Sequence, residues 1–311
     1  MSLSAVIQAL DLLDAATVNG QIVADAIRAA GVPEVEVERF SGEQGSTDFV
    51  RVTVPGTQGR RAGGAAPTLG IVGRLGGIGA RPEKIGLVSD GDGAVTAVAC
   101  ALKLGRMAGK GDRLPGDVLI ATHICPSAPT IQHPVVTMMN SPVDMATLNA
   151  QEVRPEMEAV LTVDTTRGNR VVNHRGIAIS PTVREGWILR VSEDLLTLMQ
   201  HVTGRMPVVF PITMQDITPY GNGLFHMNSI LQPATATPAP VVGVALTAEV
   251  PVPGSATGAS QPADIELAVR FCLEVAKAFG RGQCQFHDAA EWEAIQRRYG
   301  SMQRLQTLGR D

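Results

Sequence analysis

The sequence has few of the features that place a protein in a well-marked structural class. Only four of its 311 residues are cysteines and none has CxxC spacing, so we predict neither a disulfide framework nor a zinc knuckle. No apolar run approaches the roughly 20 residues that span a bilayer. The first residues lack the basic region and the cleavage site of a secretory signal. These absences predict a cytoplasmic protein that does not contact a membrane.

Charge and aromatic residues are also scarce in the combinations that bind nucleic acids. The net charge is -4, the isoelectric point is about 5.9 and aromatic residues make up 4% of the chain. No cluster of lysine and arginine alternates with aromatic side chains. This composition lacks the electrostatic pattern of proteins that bind nucleic acids or anionic membranes. We therefore expect the partner to be a small molecule or a short peptide-like substrate.

Common catalytic motifs are missing as well. The chain has no GxSxG elbow and no HExxH helix, which excludes the usual signatures of serine hydrolases and single-zinc proteases. It has neither GxGxxG opening a helix nor GxxxxGK[ST], so the glycine-rich stretch GRLGGIGARPEKIG does not predict a nucleotide site.

What the sequence does contain is the alternation of an α/β protein. Apolar residues make up 44% of the chain, enough for a sizeable core. Apolar strands alternate with amphipathic helices, which predicts a three-layer α/β/α fold with a mainly parallel, mixed central sheet. The predicted helices are 3–13, 20–30, 95–107, 193–202 and 263–279, and the predicted strands are 35–40, 49–54, 68–77, 117–124, 159–164, 171–180 and 240–246.

The domain organisation is predicted to be simple. Residues 1–280 are expected to form one α/β/α domain, and residues 281–311 a polar tail with a further helix near AEWEAIQRR. The tail can pack on this domain or on a second subunit, so the sequence leaves a homo-oligomer open.

Polar residues cluster where strands of the predicted sheet end. Asp90 and Asp92 stand in SDGDG before a helix, His123 and Cys125 end DVLIATHIC, and Asp164 ends AVLTVD. Ligands of open parallel sheets bind at this edge. One carboxylate there is explained by helix capping. Three nearby carboxylates repel one another unless a cation or a shared proton compensates, which favours a metal or a polar substrate.

The order of these elements resembles the zinc aminopeptidases and related carboxypeptidases that carry two co-catalytic metals on one α/β/α domain. The resemblance spans roughly residues 5–280. It rests first on TVNGQ at 17–21, the loop SDGDGA, the strand PGDV and the strand end VDT. The closing segment, from QDI to ADIE, is similar to the deblocking-aminopeptidase branch of the family. It implies a metal-assisted hydrolase of amide bonds.

Several metal-ligating positions of that family are changed here. Arg74-Leu-Gly stands in place of His-x-Asp, His123-Ile-Cys125 stands in place of a Glu pair, and 249–260 contains no histidine. The resemblance therefore implies one divalent ion, zinc or manganese, and leaves the roles of Asp90 and Asp92 open. The expected metal ligands are Asp90, Asp92, His123 and Asp164, and the expected catalytic residues are Asp92, His123 and Cys125.

The chain is also similar, over essentially its full length, to a bacterial domain-of-unknown-function family, number 1177. This resemblance rests on APTLGIVGRLGGIGARPE, THICP, DTTRGNR, NHRGIAISPT and QDITPYGNG. It carries no established activity.

Five further residues are candidates for binding a substrate. Arg74 or Arg81 would hold a substrate carboxylate in bidentate geometry, although an arginine over a tight turn explains each equally well. Asn169 and Asp216 lie in loops expected at the same sheet edge, and Tyr220 in ITPYGNG would close over a ligand or only shape its turn.

Three functions are consistent with these residues. The first is a hydrolase of a small peptide-like or cyclic amide, in which a metal activates water. The second is a metal-free small-molecule binding or assembly protein on the same fold. The third is a metal-independent enzyme with Cys125 as nucleophile and His123 as base.

Overall fold

The computed structural model describes residues 2–74, 76–132, 134, 136–212 and 227–306. Its α-helices are α1 Leu3–Asp14, α2 Gly20–Ala29, α3 Asp92–Ala108, α4 Met145–Glu152, α5 Glu193–Thr203, α6 Pro262–Gly280 and α7 Ala289–Tyr299. Its strands are β1 Glu34–Gly42, β2 Gly45–Val54, β3 Leu69–Gly73, β4 Val118–Ile124, β5 Thr130–Ile131, β6 Met138–Met139, β7 Ala159–Thr166, β8 Gly176–Ile179, β9 Val183–Arg184, β10 Trp187–Ile188 and β11 Val241–Thr247.

The main sheet is parallel at its centre and antiparallel at its edges. The strand order is β1-β2-β4-β3-β7-β11-β9-β10, with β8 also paired to β11. Strands β4, β3, β7 and β11 run parallel, whereas β1, β2, β8, β9 and β10 add antiparallel pairs. The predicted mixed, mainly parallel sheet is thereby confirmed, and β5 and β6 form a separate small ribbon.

Successive side chains of a central strand point to opposite faces of the sheet, so alternate residues pack in two different hydrophobic cores. On one face Ile71 and Leu161 join the apolar sides of α1, α2, α3, α5 and α6. On the other face Val72, Leu119 and Val160 pack with residues that follow α4 and with a 3₁₀ segment, Ser229–Ala236. The three layers predicted from the sequence follow from this alternation.

Helix bounds agree with the local sequence signals. The Asn19 side chain accepts a hydrogen bond from the Ile22 amide at 2.9 Å at the start of α2, and Gly31, with φ of 108°, turns the chain after it. The side chain of Asp144 likewise caps α4 by accepting from the Thr147 amide at 2.8 Å. Within the described ranges, no helix combines the length and the apolarity needed to cross a bilayer.

The segment after α6 contacts the sheet and the 3₁₀ segment. The Thr182 hydroxyl donates to the main-chain oxygen of Phe286, and the Trp187 indole donates to the oxygen of Gly300 at 2.9 Å. The Gln306 amide donates to the main-chain oxygens of Ala234 and Thr237.

Candidate functional site

The register of the parallel strands brings three predicted polar residues side by side. Gly73 of β3 lies opposite Thr122 of β4 and opposite Val163 of β7. The next residue of each chain segment is Arg74, His123 or Asp164, and all three are buried. Their positions alternate in step with Val72, Leu119 and Val160, so they face the same side of the sheet as α4.

A glutamate that the sequence analysis missed joins two of these residues. Glu152, the last residue of α4, accepts from Arg74 Nη1 at 2.7 Å and pairs with His123 Nδ1 at 2.6 Å. Arg74 Nη1 also donates to Asn149 Oδ1 at 3.0 Å. The side chains of Arg74 and Glu152 are completely buried. We call these residues, Arg74, His123, Asn149 and Glu152, the Glu152 cluster.

The cluster keeps Glu152 ionised. Burial alone would raise the pKa of Glu152, but the charge of Arg74 and the hydrogen bonds with His123 and Arg74 outweigh burial and lower it. An ionised carboxylate can only accept hydrogen bonds, so the proton of the neutral His123 imidazole resides on Nδ1 and Nε2 is the acceptor nitrogen.

The sequence carries only a weak signal for Glu152, which is a spacing. In MATLNAQE, Leu148, Asn149 and Glu152 recur at the three- and four-residue intervals of one helix face, and all three are buried. Because Leu148 must be buried, Asn149 and Glu152 are buried with it and need polar partners.

Asp90 and Asp92 lie where α3 meets the ends of β3 and β7. A 3₁₀ turn, Ser89–Gly91, precedes Asp92. A Cβ atom at Gly93 would lie 2.5 Å from the main-chain oxygen of Arg74, so only glycine permits this approach. A distant loop covers the turn: the amide of Ser89 donates to Ala256 at 2.9 Å and that of Asp90 to Gly254 at 3.1 Å.

Asp92 is fully engaged by side chains. Its Oδ2 accepts from Arg167 Nη2 at 2.6 Å, and its Oδ1 accepts from the Ser260 hydroxyl. Burial raises the pKa of Asp92 to about 6, against the opposing effects of Arg167 and Ser260. We therefore assign Asp92 a role in holding Arg167 and the loop of Ser260.

In Asp90 and in Asp164, the Oδ2 atom accepts only one long hydrogen bond. Asp90 Oδ2 lies 3.4 Å from the Met139 amide, and Asp164 Oδ2 lies 3.4 Å from the Ser229 hydroxyl. Burial raises the pKa of Asp90 to about 6. Burial, followed by the charge of Asp90, raises the pKa of Asp164 to about 7. The two carboxylates are thus close enough to repel each other inside the protein.

The charges of the site fit a divalent cation. Four buried carboxylates, Asp90, Asp92, Glu152 and Asp164, face the two guanidinium groups of Arg74 and Arg167. The ionised site therefore carries an excess of two negative charges, which protons or one divalent ion would neutralise. In the described part of the chain, no group of three or more His, Cys, Asp or Glu residues is arranged to hold a metal.

The remaining candidates are placed less favourably for chemistry. Arg81 donates to the main-chain oxygens of Asp14 at 2.7 Å and Pro126 at 3.5 Å, so its guanidinium holds loops together. The Asn169 side-chain oxygen accepts from the amides of Val171 and Val172 in its own loop. The predicted Asp216 and Tyr220 lie outside the described residues.

Cys125 does not have the environment of a nucleophile. The residue is 2% exposed, and burial raises the pKa of its thiol above the ordinary value, partly opposed by the Ser127 amide. A catalytic thiol needs the opposite shift. The interpretation of Cys125 as a nucleophile therefore gains no support from the geometry.

We expect none of the four cysteines to react rapidly with a thiol reagent in the native protein, because all four are buried. A colorimetric thiol titration in buffer should give close to zero equivalents within minutes, and the same titration in concentrated guanidinium chloride should give four. One fast equivalent that disappears in Cys125→Ser would contradict this expectation.

Comparisons with known proteins agree with this architecture. The sequence model of a family described as "Protein of unknown function (DUF1177)" matches residues 38–309. No curated protein matches the sequence at a significant level.

Two solved structures are similar at low identity. The bottromycin maturation enzyme BotP in complex with Mn is 14% identical to this chain, with a TM-score of 0.55. The alignment covers 89% of this chain and 71% of that chain. A mutant of tomato leucine aminopeptidase is 12% identical, with a TM-score of 0.50, 87% of this chain and 61% of that chain covered. The predicted distant similarity to aminopeptidase-like proteins and the predicted fold class are thereby confirmed.

Proposed function

We propose that this chain, which belongs to the DUF1177 family of proteins of unknown function, is a metal-dependent hydrolase that cleaves an amide bond in a small peptide-like or cyclic substrate. The observation that carries the proposal is the pair Asp90 and Asp164. Each carboxylate is buried, has a raised pKa and leaves one oxygen weakly bound. Both groups lie at the sheet edge where open parallel sheets bind ligands. Two buried carboxylates without strong partners lower the free energy of unfolding, and a bound cation would offset this loss.

Asp90 and Asp164 would hold one divalent ion through carboxylate oxygens. Oxygen ligands suit manganese better than the nitrogen and sulfur sets that zinc favours, and manganese is present in the similar BotP structure. Such an ion polarises an amide carbonyl and lowers the pKa of bound water. Asp92, which the sequence analysis treated as an equivalent ligand, would orient Arg167 instead.

His123 would act as the general base and then as the general acid. Glu152 fixes its ring and keeps the proton of the neutral imidazole on Nδ1, so Nε2 is the nitrogen that takes a proton from the attacking water and returns it to the leaving amine. Glu152 and Arg74 act through this positioning. Arg74 is wholly buried in the ion pair with Glu152, so its guanidinium would not reach a substrate carboxylate.

The first test is the metal content of protein purified without chelator, measured by inductively coupled plasma mass spectrometry. We expect about one equivalent of a divalent ion in the wild type and a loss of at least tenfold in Asp90→Asn combined with Asp164→Asn. Asp25→Asn, which changes an exposed aspartate on α2, is the matched control and should keep its metal. Wild-type protein that remains metal-free after incubation with manganese and zinc would contradict the proposal.

A second candidate function is a non-catalytic small-molecule binding or assembly protein. The Glu152 cluster favours it, because Arg74 and His123, which stand where metal ligands would be expected, are joined to a carboxylate. This alternative predicts no hydrolysis of any amide in a broad panel, while some panel members raise the melting temperature by binding the folded state.

A further inference from the structure

A cavity lies at the edge of the sheet opposite the candidate metal centre. It has a volume of about 270 Å³ and is lined in part by Pro67, Glu158 and Pro240. These residues come just before β3, β7 and β11 respectively, so the cavity is at the amino ends of the parallel strands, whereas the candidate metal centre is at their carboxyl ends. One water occupies about 30 Å³ of liquid, so this cavity has room for a small organic or inorganic ion.

The wall of this cavity contains an arginine whose charge is not balanced by a contacting carboxylate. Arg184 Nη1 lies 2.6 Å from His287 Nε2, and the guanidinium carbon lies 4.4 Å from the centre of the Trp292 ring. Among the described residues, Arg184 forms no ion pair, and Glu185 acts on it only through longer-range charge. A partly buried guanidinium between an imidazole and an indole is a site of positive potential.

Two buried donors of the same residues lack a partner. Because Arg184 always donates, His287 Nε2 must accept, and the ring proton therefore resides on Nδ1. His287 Nδ1 and Arg184 Nε are both buried without a hydrogen-bond partner. A buried donor without an acceptor is unfavourable, so two such donors on residues that line one cavity point to an acceptor that binds there.

The acidic groups near the cavity are already occupied. Glu158 accepts from Arg60 at 3.0 Å and from the Thr68 amide at 2.7 Å. Asp288 caps α7 through the Glu291 amide at 2.9 Å and pairs with Arg190. Neither carboxylate forms an ion pair with Arg184, so the positive charge in the wall remains available to a ligand.

We infer that this cavity binds a small oxyanion, a carboxylate or a phosphate group, at Arg184 and His287. Guanidinium and imidazole N–H groups match both kinds of oxyanion. The site is separate from the candidate metal centre, and its test does not depend on hydrolytic activity.

The test is a thermal-shift titration with inorganic phosphate and with acetate, at an ionic strength held constant with sodium chloride. We expect at least one anion to raise the melting temperature of the wild type by about 2 °C at about ten times its Kd. Arg184→Gln should lose this shift. Arg190→Gln, which removes an exposed arginine nearby, should keep it. A response to phosphate alone identifies a phosphate ligand, and a response to acetate alone identifies a carboxylate.

Two results would overturn the inference. One is the absence of any shift with either anion in the wild type, and the other is an equal shift in Arg184→Gln. Should Arg184→Gln fail to fold, nuclear magnetic resonance of the wild type decides instead. Burial and the charge of Arg184 lower the pKa of His287 to about 4, and a bound anion should raise it by at least one unit. The ring signals of the exposed His201 should not respond to the anion, and an unchanged pKa of His287 would contradict binding.

Discussion

Glu152→Ala is expected to lower the free energy of unfolding by about 3–5 kcal/mol. The change leaves the guanidinium of Arg74 fully buried without its carboxylate and removes the partner of His123 Nδ1. A buried ion pair is not strongly stabilising as a whole, but removal of one partner exposes the desolvation cost of the other. Urea unfolding followed by circular dichroism measures the difference.

The matched control is Glu156→Ala. Glu156 pairs with Arg154 at 3.0 Å but is half exposed, so its loss should change stability by less than about 1 kcal/mol. A double variant, Arg74→Met with Glu152→Leu, should regain most of the loss, because it removes both charges together. Equal effects of Glu152→Ala and Glu156→Ala would show that the cluster is not energetically coupled.

The pH dependence of the Glu152 contribution has a defined sign. The folded-state pKa of Glu152 lies below its ordinary value of 4.5. Its stabilising effect is therefore complete above about pH 4.5 and is lost as the pH falls through the lower folded pKa. We expect wild type and Glu152→Gln to converge in stability only in strongly acidic solution.

Asp164→Asn is expected to stabilise the metal-free protein at neutral and alkaline pH, by up to about 4 kcal/mol. Burial and the nearby Asp90 raise the pKa of Asp164 from 3.8 to about 7, so folding must hold an unfavourable charge above that pH. Asparagine keeps the acceptor oxygen for the Thr165 amide, which Asp164 binds at 2.7 Å, and removes the charge.

The raised pKa of Asp164 determines how the free energy of unfolding changes with pH. Between about pH 4 and pH 7 the folded state binds more protons at Asp164 than the unfolded state, so the stability of the metal-free wild type falls as the pH rises. In Asp164→Asn this fall in stability should be smaller.

Chelator-treated proteins unfolded in urea at about pH 5 and about pH 8 provide the comparison, with Asp25→Asn as the control. Added manganese should stabilise the wild type and not Asp164→Asn, and a less stable Asp164→Asn at the higher pH would contradict the expectation.

The position of the site was predictable because it depends on strand ends. Apolar strands that finish in Arg74, His123 and Asp164 can be read from the sequence, and parallel register then places these residues together. The division of labour between Asp90 and Asp92 was not predictable. It is set by Arg167 and Ser260, which lie 75 and 168 residues away along the chain from Asp92, and no local pattern encodes such contacts.

Glu152 was missed for a different reason. Helix α4 has eight residues, and its apolar face is too short for a strong periodic signal. Arg81 was overvalued because a guanidinium beside glycines predicts ligand binding and loop bracing equally well. The structure shows it donating to main-chain oxygens, which depend on the path of two loops that the sequence does not specify.

The loop that covers Asp90 also has a consequence for the order of folding. The Ser89 hydroxyl donates to the main-chain oxygen of Pro253 at 2.7 Å across a separation of 164 residues, and contacts between such distant residues form slowly. During synthesis, α3 and the neighbouring strands emerge from the ribosome long before residues 253–260. We therefore expect Asp90 to stay hydrated until that late segment covers it, and the closing of the acidic pocket to be a late step of folding.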